Sequence, residues 1–245
     1  MDRTVRDRQQ WWRRIMVWLG QHELAVLVML ALAAGGIWAF AILAEEVIEG
    51  ETHAIDQMVL LAMRNPADSS DPLGPAWLEE TVRDFTALGS TGVLIFITLS
   101  VAGFLVQRRE YRMTWLVLMA IGGGMLLTTL LKQGFDRPRP DLVPHGSFVT
   151  AASFPSGHAM VSAATYLTLG ALLARTQSRR RLKAYLLLLA TLLTLAVGAS
   201  RVYLGVHWPT DVLAGWVAGA VWAIISWLVA RWLQQRGVVE EKAIP

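Results

Sequence analysis

Residues 184–200 read AYLLLLATLLTLAVGAS, and residues 201–211 continue RVYLGVHWPTD. The first part has no charge over a length close to the roughly 20 residues that carry a helix across the hydrocarbon core of a bilayer. The second part turns polar at once, with Arg201, His207 and Asp211 spaced behind the apolar run. Five more runs of this kind lie at 24–44, 91–107, 113–131, 156–174 and 212–230. Backbone polar groups in lipid must be satisfied within the segment, so each run is expected to be a helix. A membrane β-barrel would show shorter segments of alternating polarity, which this chain lacks. The expected fold is therefore all-α: an integral membrane bundle of six transmembrane helices.

Composition agrees. Of 245 residues 54% are hydrophobic and 17% charged, against about 25% charged in soluble domains, and the mean hydropathy is +0.44. That apolar content excludes a disordered chain and argues against a soluble globule. The absence of cysteine removes disulfides, thiolate metal sites and cysteine nucleophiles together.

The isoelectric point near 9.6 invites a nucleic-acid reading, but the charges are sorted by topology. With six spans both termini share a side, and that side holds 16 of the 22 Lys and Arg residues. They lie in the leader (Arg3, Arg6, Arg8, Arg13, Arg14), at 108–112, at 175–183 and in the tail (Arg231, Arg236, Lys242). The positive-inside rule puts this side, with both termini, in the cytoplasm. Residues 45–84 carry ten of the 19 acids and two basic residues, as an exported loop would. No nucleic-acid partner is expected. The expected division is a cytoplasmic segment 1–23, a membrane domain 24–230 and a cytoplasmic tail 231–245.

Ala39-Phe40-Ala41 imitates a signal-cleavage site, but the polar leader and the long apolar run after it fit a retained span better. Residues 53–64 have an amphipathic pattern and are expected to form a short helix along the outer surface in the first outer loop. Residues 65–76, rich in Pro, Asp, Ser and Gly, read as loop. Trp11, Trp12, Trp18, Trp77, Trp208 and Trp232 fall near span ends, where tryptophan anchors a helix at the interface. Gly122-Gly123-Gly124 permits close helix packing, within one chain or between two, so the oligomeric state stays open.

Polar residues gather at the outer ends of the helices. Lys132 ends the third span, followed by Arg137-Pro138-Arg139-Pro140; Pro155-Ser156-Gly157-His158 opens the fourth; Arg201, His207 and Asp211 lie between the fifth and sixth. Lys132, Arg137, Arg139 and Arg201 stand outside against the topological trend, and ionisable groups at membrane depth mark function by default. Lys132, Arg139 and Arg201 supply positive charge and forked donors suited to phosphate oxygens. Ser156 and Gly157 begin a helix, where free N–H groups and the positive dipole end favour an anion. His207 would sit in a loop and Asp211 in the first turn of the sixth span, so that Asp211 accepts from one ring nitrogen and leaves the other lone pair for attack. His158 can protonate a leaving oxygen.

Each residue alone has a plainer reading. A lone Lys or Arg at a helix end is usually a snorkelling anchor, and Ser-Gly at a helix start is usually a cap. His22, His53 and His145 join no constellation, and Arg137 fits either the anion site or open water. Convergence on one membrane face, with complementary roles, favours a site for the rest. No metal-ligand spacing is present, so neither metal nor other cofactor is expected.

Together, Lys132-x6-Arg139-Pro140, Pro155-Ser156-Gly157-His158 and Ser200-Arg201-x5-His207-x3-Asp211 resemble the three-part signature of the type 2 phosphatidic acid phosphatase family. Undecaprenyl pyrophosphate, phosphatidylglycerophosphate and lipid A phosphatases and vanadium haloperoxidases are among its members. The resemblance implies a metal-independent membrane phosphatase in which His207 attacks phosphorus to form a phosphohistidine, Asp211 orients it and His158 protonates the leaving group. Lys132, Arg139, Ser156, Gly157 and Arg201 would bind the phosphate.

A site at the outer helix ends favours a lipid phosphate or pyrophosphate whose tails remain in the bilayer. Undecaprenyl pyrophosphate, phosphatidic acid and phosphatidylglycerophosphate are the expected candidates, in a bacterial inner membrane with the site facing the periplasm or cell exterior. The rivals are a lipid phosphotransferase with the same phosphohistidine, a vanadate-dependent peroxidase, and a non-catalytic anion transporter or lipid-binding protein. Transporter sites sit nearer the midplane, and the peroxidases are soluble.

Overall fold

The computed structural model describes residues 24–142 and 152–236. The leader 1–23 with its five arginines, Trp11, Trp12, Trp18 and His22, together with His145 and Lys242, lies outside the described residues. Eight helices are described: α1 (Leu24–Glu49), α2 (His53–Leu61), α3 (Ala76–Leu88), α4 (Thr91–Gln107), α5 (Tyr111–Gln133), α6 (Gly157–Arg175), α7 (Arg180–Tyr203) and α8 (Pro209–Gln235). Five of them, α1 and α5 to α8, are long and apolar enough to cross a membrane. A sixth candidate is the pair α3 and α4, which together are long and apolar enough but meet at a 51° bend. The chain is an integral membrane helix bundle.

Burial identifies the hub. In α6 61% of the apolar window is buried within the protein, against 6% in α1. Helix α6 packs on α5, α7 and α8, whereas α1 leans on α8 alone among the spans in substantial contact. Lipid tails are as apolar as leucine, so close approach of helices rather than exclusion of water must hold such a bundle together. Small residues supply that approach. A Cβ on Gly215 of α8 would stand 2.7 Å from the Ser156 carbonyl oxygen, and one on Gly219 would stand 2.6 Å from the Ala163 Cβ of α6. Of the glycine triplet in α5, Gly123 and Gly124 receive the Trp222 ring of α8, so their packing is within the chain.

The surface helix expected over 53–64 is present as α2, ending at Leu61. It turns Asp56 and Leu60 inward and leaves Ile55 and Met58 exposed, an apolar outer face suited to lying on a bilayer. Beyond it the structure differs from the expected loop. Arg64–Asn65 and Asp68–Pro72 pair as a small antiparallel hairpin, its turn closed by the Ala67 N–H on Asn65 Oδ1 at 3.1 Å and the Ser70 N–H on Asp68 Oδ1 at 2.9 Å. Helix α3 was also not expected. Its apolar residues Leu78, Val82 and Phe85 recur at helical spacing among Glu79, Glu80, Arg83 and Asp84, so it forms no continuous apolar run. Ser90 then caps α4, accepting from the Val93 N–H at 3.4 Å. Trp77 and Trp232 are exposed near helix ends as expected of anchors. Trp208 instead gives its Nε1–H to the Pro138 carbonyl at 2.9 Å.

Candidate active site

The connection between α7 and α8 turns sharply enough to aim His207 back into the bundle. Gly205 makes the turn at φ +71°, a conformation that a side chain disfavours. A Cβ there would also stand 2.6 Å from Arg64 Nη2. Arg64 is itself buried and donates to the Tyr203 carbonyl at 2.6 Å, closing the end of α7. Trp208 then precedes α8, Pro209 fills its first position and Asp211 its third. Asp211 Oδ2 accepts the Trp208 N–H at 3.0 Å, and a carboxylate at a helix N-terminus is favoured by the dipole.

The same carboxylate faces the imidazole: Nδ1 of His207 lies 3.3 Å from Asp211 Oδ2. The Ser153 hydroxyl donates to Asp211 Oδ2 as well. On the other side of the ring, Arg139 Nη1 lies 3.1 Å from His207 Nε2. A guanidinium only donates, so Nε2 must be the accepting nitrogen and Nδ1 the protonated one that meets Asp211. His207 is 1% exposed. Burial pushes its pKa down to about 4, Arg139 adds to the depression and the Asp211 hydrogen bond opposes it. The ring is therefore neutral at pH 7, with a lone pair on Nε2.

Positive charge gathers in this region from three elements, Arg139 alone touching that nitrogen. Arg139 gives a second bond to the Val206 carbonyl at 2.9 Å, and burial holds its pKa below the ordinary arginine value. Lys132, in the last turn of α5, reaches the Ala152 carbonyl at 3.1 Å. Its chain crosses Gly157, where a Cβ would stand 3.3 Å from Lys132 Cε. Arg201 ends α7 in the electrostatic field of Arg139, and His158 opens α6 within range of Arg201, His207, Lys132 and Arg139. His158 packs against Gly89 in the α3–α4 bend, so the kink makes room for the histidine.

Ser156 does not behave as a cap. Its side chain makes no capping bond to α6, and its N–H goes to the Asp211 carbonyl at 2.9 Å. Ser156 Oγ, Arg139 Nε and Arg201 Nε are all buried without a hydrogen-bond partner among the described residues. Buried donors are ordinarily satisfied; Arg139 touches His207 itself and Arg201 acts on it electrostatically, so their open donors have the chemistry to take an anion. The segment bearing Ser153 and Ser156 is held by Phe154, which is fully buried between Phe40 and Phe135 at ring-centroid distances of 5.8 and 4.7 Å.

All eight candidate residues, His207, His158, Asp211, Lys132, Arg139, Ser156, Gly157 and Arg201, thus meet at one end of the bundle, where α5 and α7 finish and α6 and α8 begin. Arg137 belongs neither to the anion site nor to water. It spans two carboxylates, Asp211 Oδ1 at 2.7 Å and Asp56 Oδ2 at 2.6 Å. Ser153 and Asp56 escaped the reading of the sequence; the one signal was an acid set among apolar neighbours at 53–61. His53 lies on α2 with its ring edge against Trp208 at 5.3 Å. Among the described residues no three His, Asp or Glu side chains cluster as a metal site. Beside the polar cluster, an apolar cavity of about 540 Å³ opens between α3, α7 and α8, walled by Leu78, Val82, Phe85, Tyr203 and Val212.

The family model described as the PAP2 superfamily matches residues 113–235. The chain is 38% identical over 152 residues to phosphatidylglycerophosphatase B of Bacillus subtilis, covering 58% of this chain and 70% of that protein. It is 38% identical over 77 residues to undecaprenyl-diphosphatase of Sulfolobus acidocaldarius, covering 31% and 33%. Among solved structures, it resembles the transmembrane PAP2 type phosphatidylglycerolphosphate phosphatase from Bacillus subtilis with a TM-score of 0.68 and 28% identity, over 82% of this chain and 96% of that one.

Proposed function

The chain belongs to the PAP2 superfamily and is a lipid phosphatase of the membrane, and from that premise we propose that it removes phosphate from a lipid phosphate or pyrophosphate through a phosphohistidine on His207. The observation that carries this reading is the neutral, buried imidazole fixed between Asp211 and Arg139, with unpartnered donors converging beside it.

Phosphoryl transfer depends chiefly on positioning and on stabilising the equatorial oxygens. Arg139, Arg201, Lys132, the Ser156 hydroxyl and the first N–H groups of α6 would take those oxygens. As the phosphate seats, Arg139 exchanges its bond to Nε2 for one to oxygen, which frees the lone pair. Nε2 attacks phosphorus, the bond to the lipid oxygen breaks, and His158, protonated from solvent once the negative charge of the phosphate seats beside it, gives that oxygen a proton. Asp211 balances the charge that the ring acquires. Water, giving a proton to His158, then cleaves the N–P bond and releases inorganic phosphate. No step in this sequence calls for a metal.

The substrate class follows from the name of the Bacillus relative and from the surroundings of the site. Phosphatidylglycerophosphate is the first candidate, with undecaprenyl pyrophosphate and phosphatidic acid beside it. The apolar cavity between α3, α7 and α8 suits hydrocarbon next to a headgroup site. The charge asymmetry of the loops supports both termini in the cytoplasm and the site outward, and the Bacillus relative supports a bacterial inner membrane. That asymmetry also supports the division into a leader 1–23, a membrane domain 24–230 and a tail 231–245.

The test is release of inorganic phosphate by purified protein in detergent with EDTA, on those three lipids and lipid A. Release that survives EDTA and disappears in His207→Ala is expected. Phosphate that passes to an added acceptor lipid instead of water would make the chain a phosphotransferase. No turnover of any lipid would end the enzymatic reading.

A further inference from the structure

If His207 is the nucleophile, as read above, Asp211 must be held so that one oxygen faces the ring and its charge is not spent elsewhere. The carboxylate is fully buried. Oδ2 serves His207, Ser153 and the Trp208 N–H, while Oδ1 takes Arg137 Nη1 at 2.7 Å. The second arm of the guanidinium, Nη2, donates to Asp56 Oδ2 at 2.6 Å and to Thr52 Oγ1 at 3.2 Å. Asp56, fully buried on α2, also accepts the Thr210 N–H at 2.9 Å and the Thr210 hydroxyl at 2.6 Å. A surface helix thus caps the helix that carries Asp211 and grips the arginine that orients it. The Trp208 ring closes the arrangement, 5.6 Å from the Arg137 guanidinium carbon.

The charge count gives the arrangement its meaning. Arg137 facing Asp211 alone would fix the carboxylate but neutralise it just as the attacking imidazole becomes cationic. Asp56 takes up the charge of Arg137, so the string carboxylate–guanidinium–carboxylate keeps a net negative charge beside the ring. Buried charges of this kind are costly to maintain unless fully paired.

We propose that Arg137 and Asp56 are positioning residues of the hydrolysis: Arg137 fixes Asp211 against His207, and Asp56 keeps Asp211 electrostatically available while pinning α2 to the start of α8. Neither touches the phosphate.

The experiment compares Asp56→Asn, Arg137→Gln and the double variant with the full-length protein in detergent, on a water-dispersible short-chain lipid phosphate. Inhibition by inorganic phosphate is measured alongside. Asp56→Asn is expected to lower kcat roughly ten- to a hundredfold, the range of coupling within buried charge networks. KM and the phosphate inhibition constant should move less than about threefold, because the phosphate cradle is untouched. The double variant, which removes one charge of each sign, should turn over at least about threefold faster than Asp56→Asn alone. Two residues acting independently would give losses that multiply instead.

The proposal is overturned if Asp56→Asn keeps kcat within about twofold of wild type, or if the double variant shows the product of the two single losses. Should Asp56→Asn not accumulate as folded protein, Arg137→Lys carries the same test. An ammonium reaches one carboxylate but not both, so an unreduced kcat in that variant contradicts the proposal. Persistent turnover in His207→Ala would instead sink the nucleophile assignment itself, which separates the two failures.

Discussion

The depressed pKa of His207 has a consequence for stability that can be measured without substrate. The imidazole titrates near 6.5 when unfolded and near 4 when buried beside Arg139. Between those values the unfolded chain holds a proton that the folded chain refuses, so stability falls as pH falls. The contribution is complete above about pH 6.5, erodes through the window down to about 4, and totals roughly 3 kcal/mol. Because the group is 1% exposed, solvent screening takes little from that figure. In a protein of this size the loss corresponds to roughly 6–12 °C in Tm. The perturbation is His207→Gln, which keeps the volume and loses the titration. Thermal unfolding of both proteins in one detergent from pH 7.5 to pH 4 gives two curves whose separation should shrink by that amount, other groups cancelling. Curves that stay parallel would refute a buried neutral His207. The same placement predicts that the acid limb of kcat/KM, corrected for ionisation of the substrate, carries no contribution from His207 near pH 6.5.

Three further substitutions probe separate parts of the account. Ser156→Ala removes a buried hydroxyl that makes no bond to the protein, so thermal stability should stay within about 1 kcal/mol of wild type while kcat/KM drops; a large destabilisation would show that the hydroxyl is structural. Gly205→Ala forces a side chain into φ +71° and against Arg64, and should cost about 2 kcal/mol or more in unfolding experiments. Gly123→Leu puts bulk where a Cβ alone would meet Trp222 at 2.5 Å, and a loss of about 1–3 kcal/mol is expected from the overpacked α5–α8 contact.

Length and apolarity carried most of the fold. The runs at 24–44, 91–107, 113–131, 156–174, 184–200 and 212–230 all lie within α1 and α4 to α8, apart from Ser156, which immediately precedes α6. Lipid selects each span by its own composition, so no knowledge of its partners is needed. Helix α3 was missed because its apolar residues depend on α7 to bury them and are interrupted by charge in the sequence. The candidate site was legible as far as its chemistry is local: Asp211 caps the turn that follows His207, and Gly157 begins the helix that Lys132 crosses. Arg137 and Asp56 were not legible together. They lie 81 positions apart, and only the tertiary fold lays α2 across the start of α8. Arg64, one of the two basic residues of the acidic stretch 45–84, is a buried donor to the end of α7 for the same reason.

The most direct test of the central claim is to quench a single turnover of lipid carrying radiolabelled phosphate and to look for label on the protein. Label is expected that survives base, is lost in acid as a phosphoramidate should be, maps to His207, and is absent from His207→Ala. Turnover without such label, or label on another residue, would contradict it.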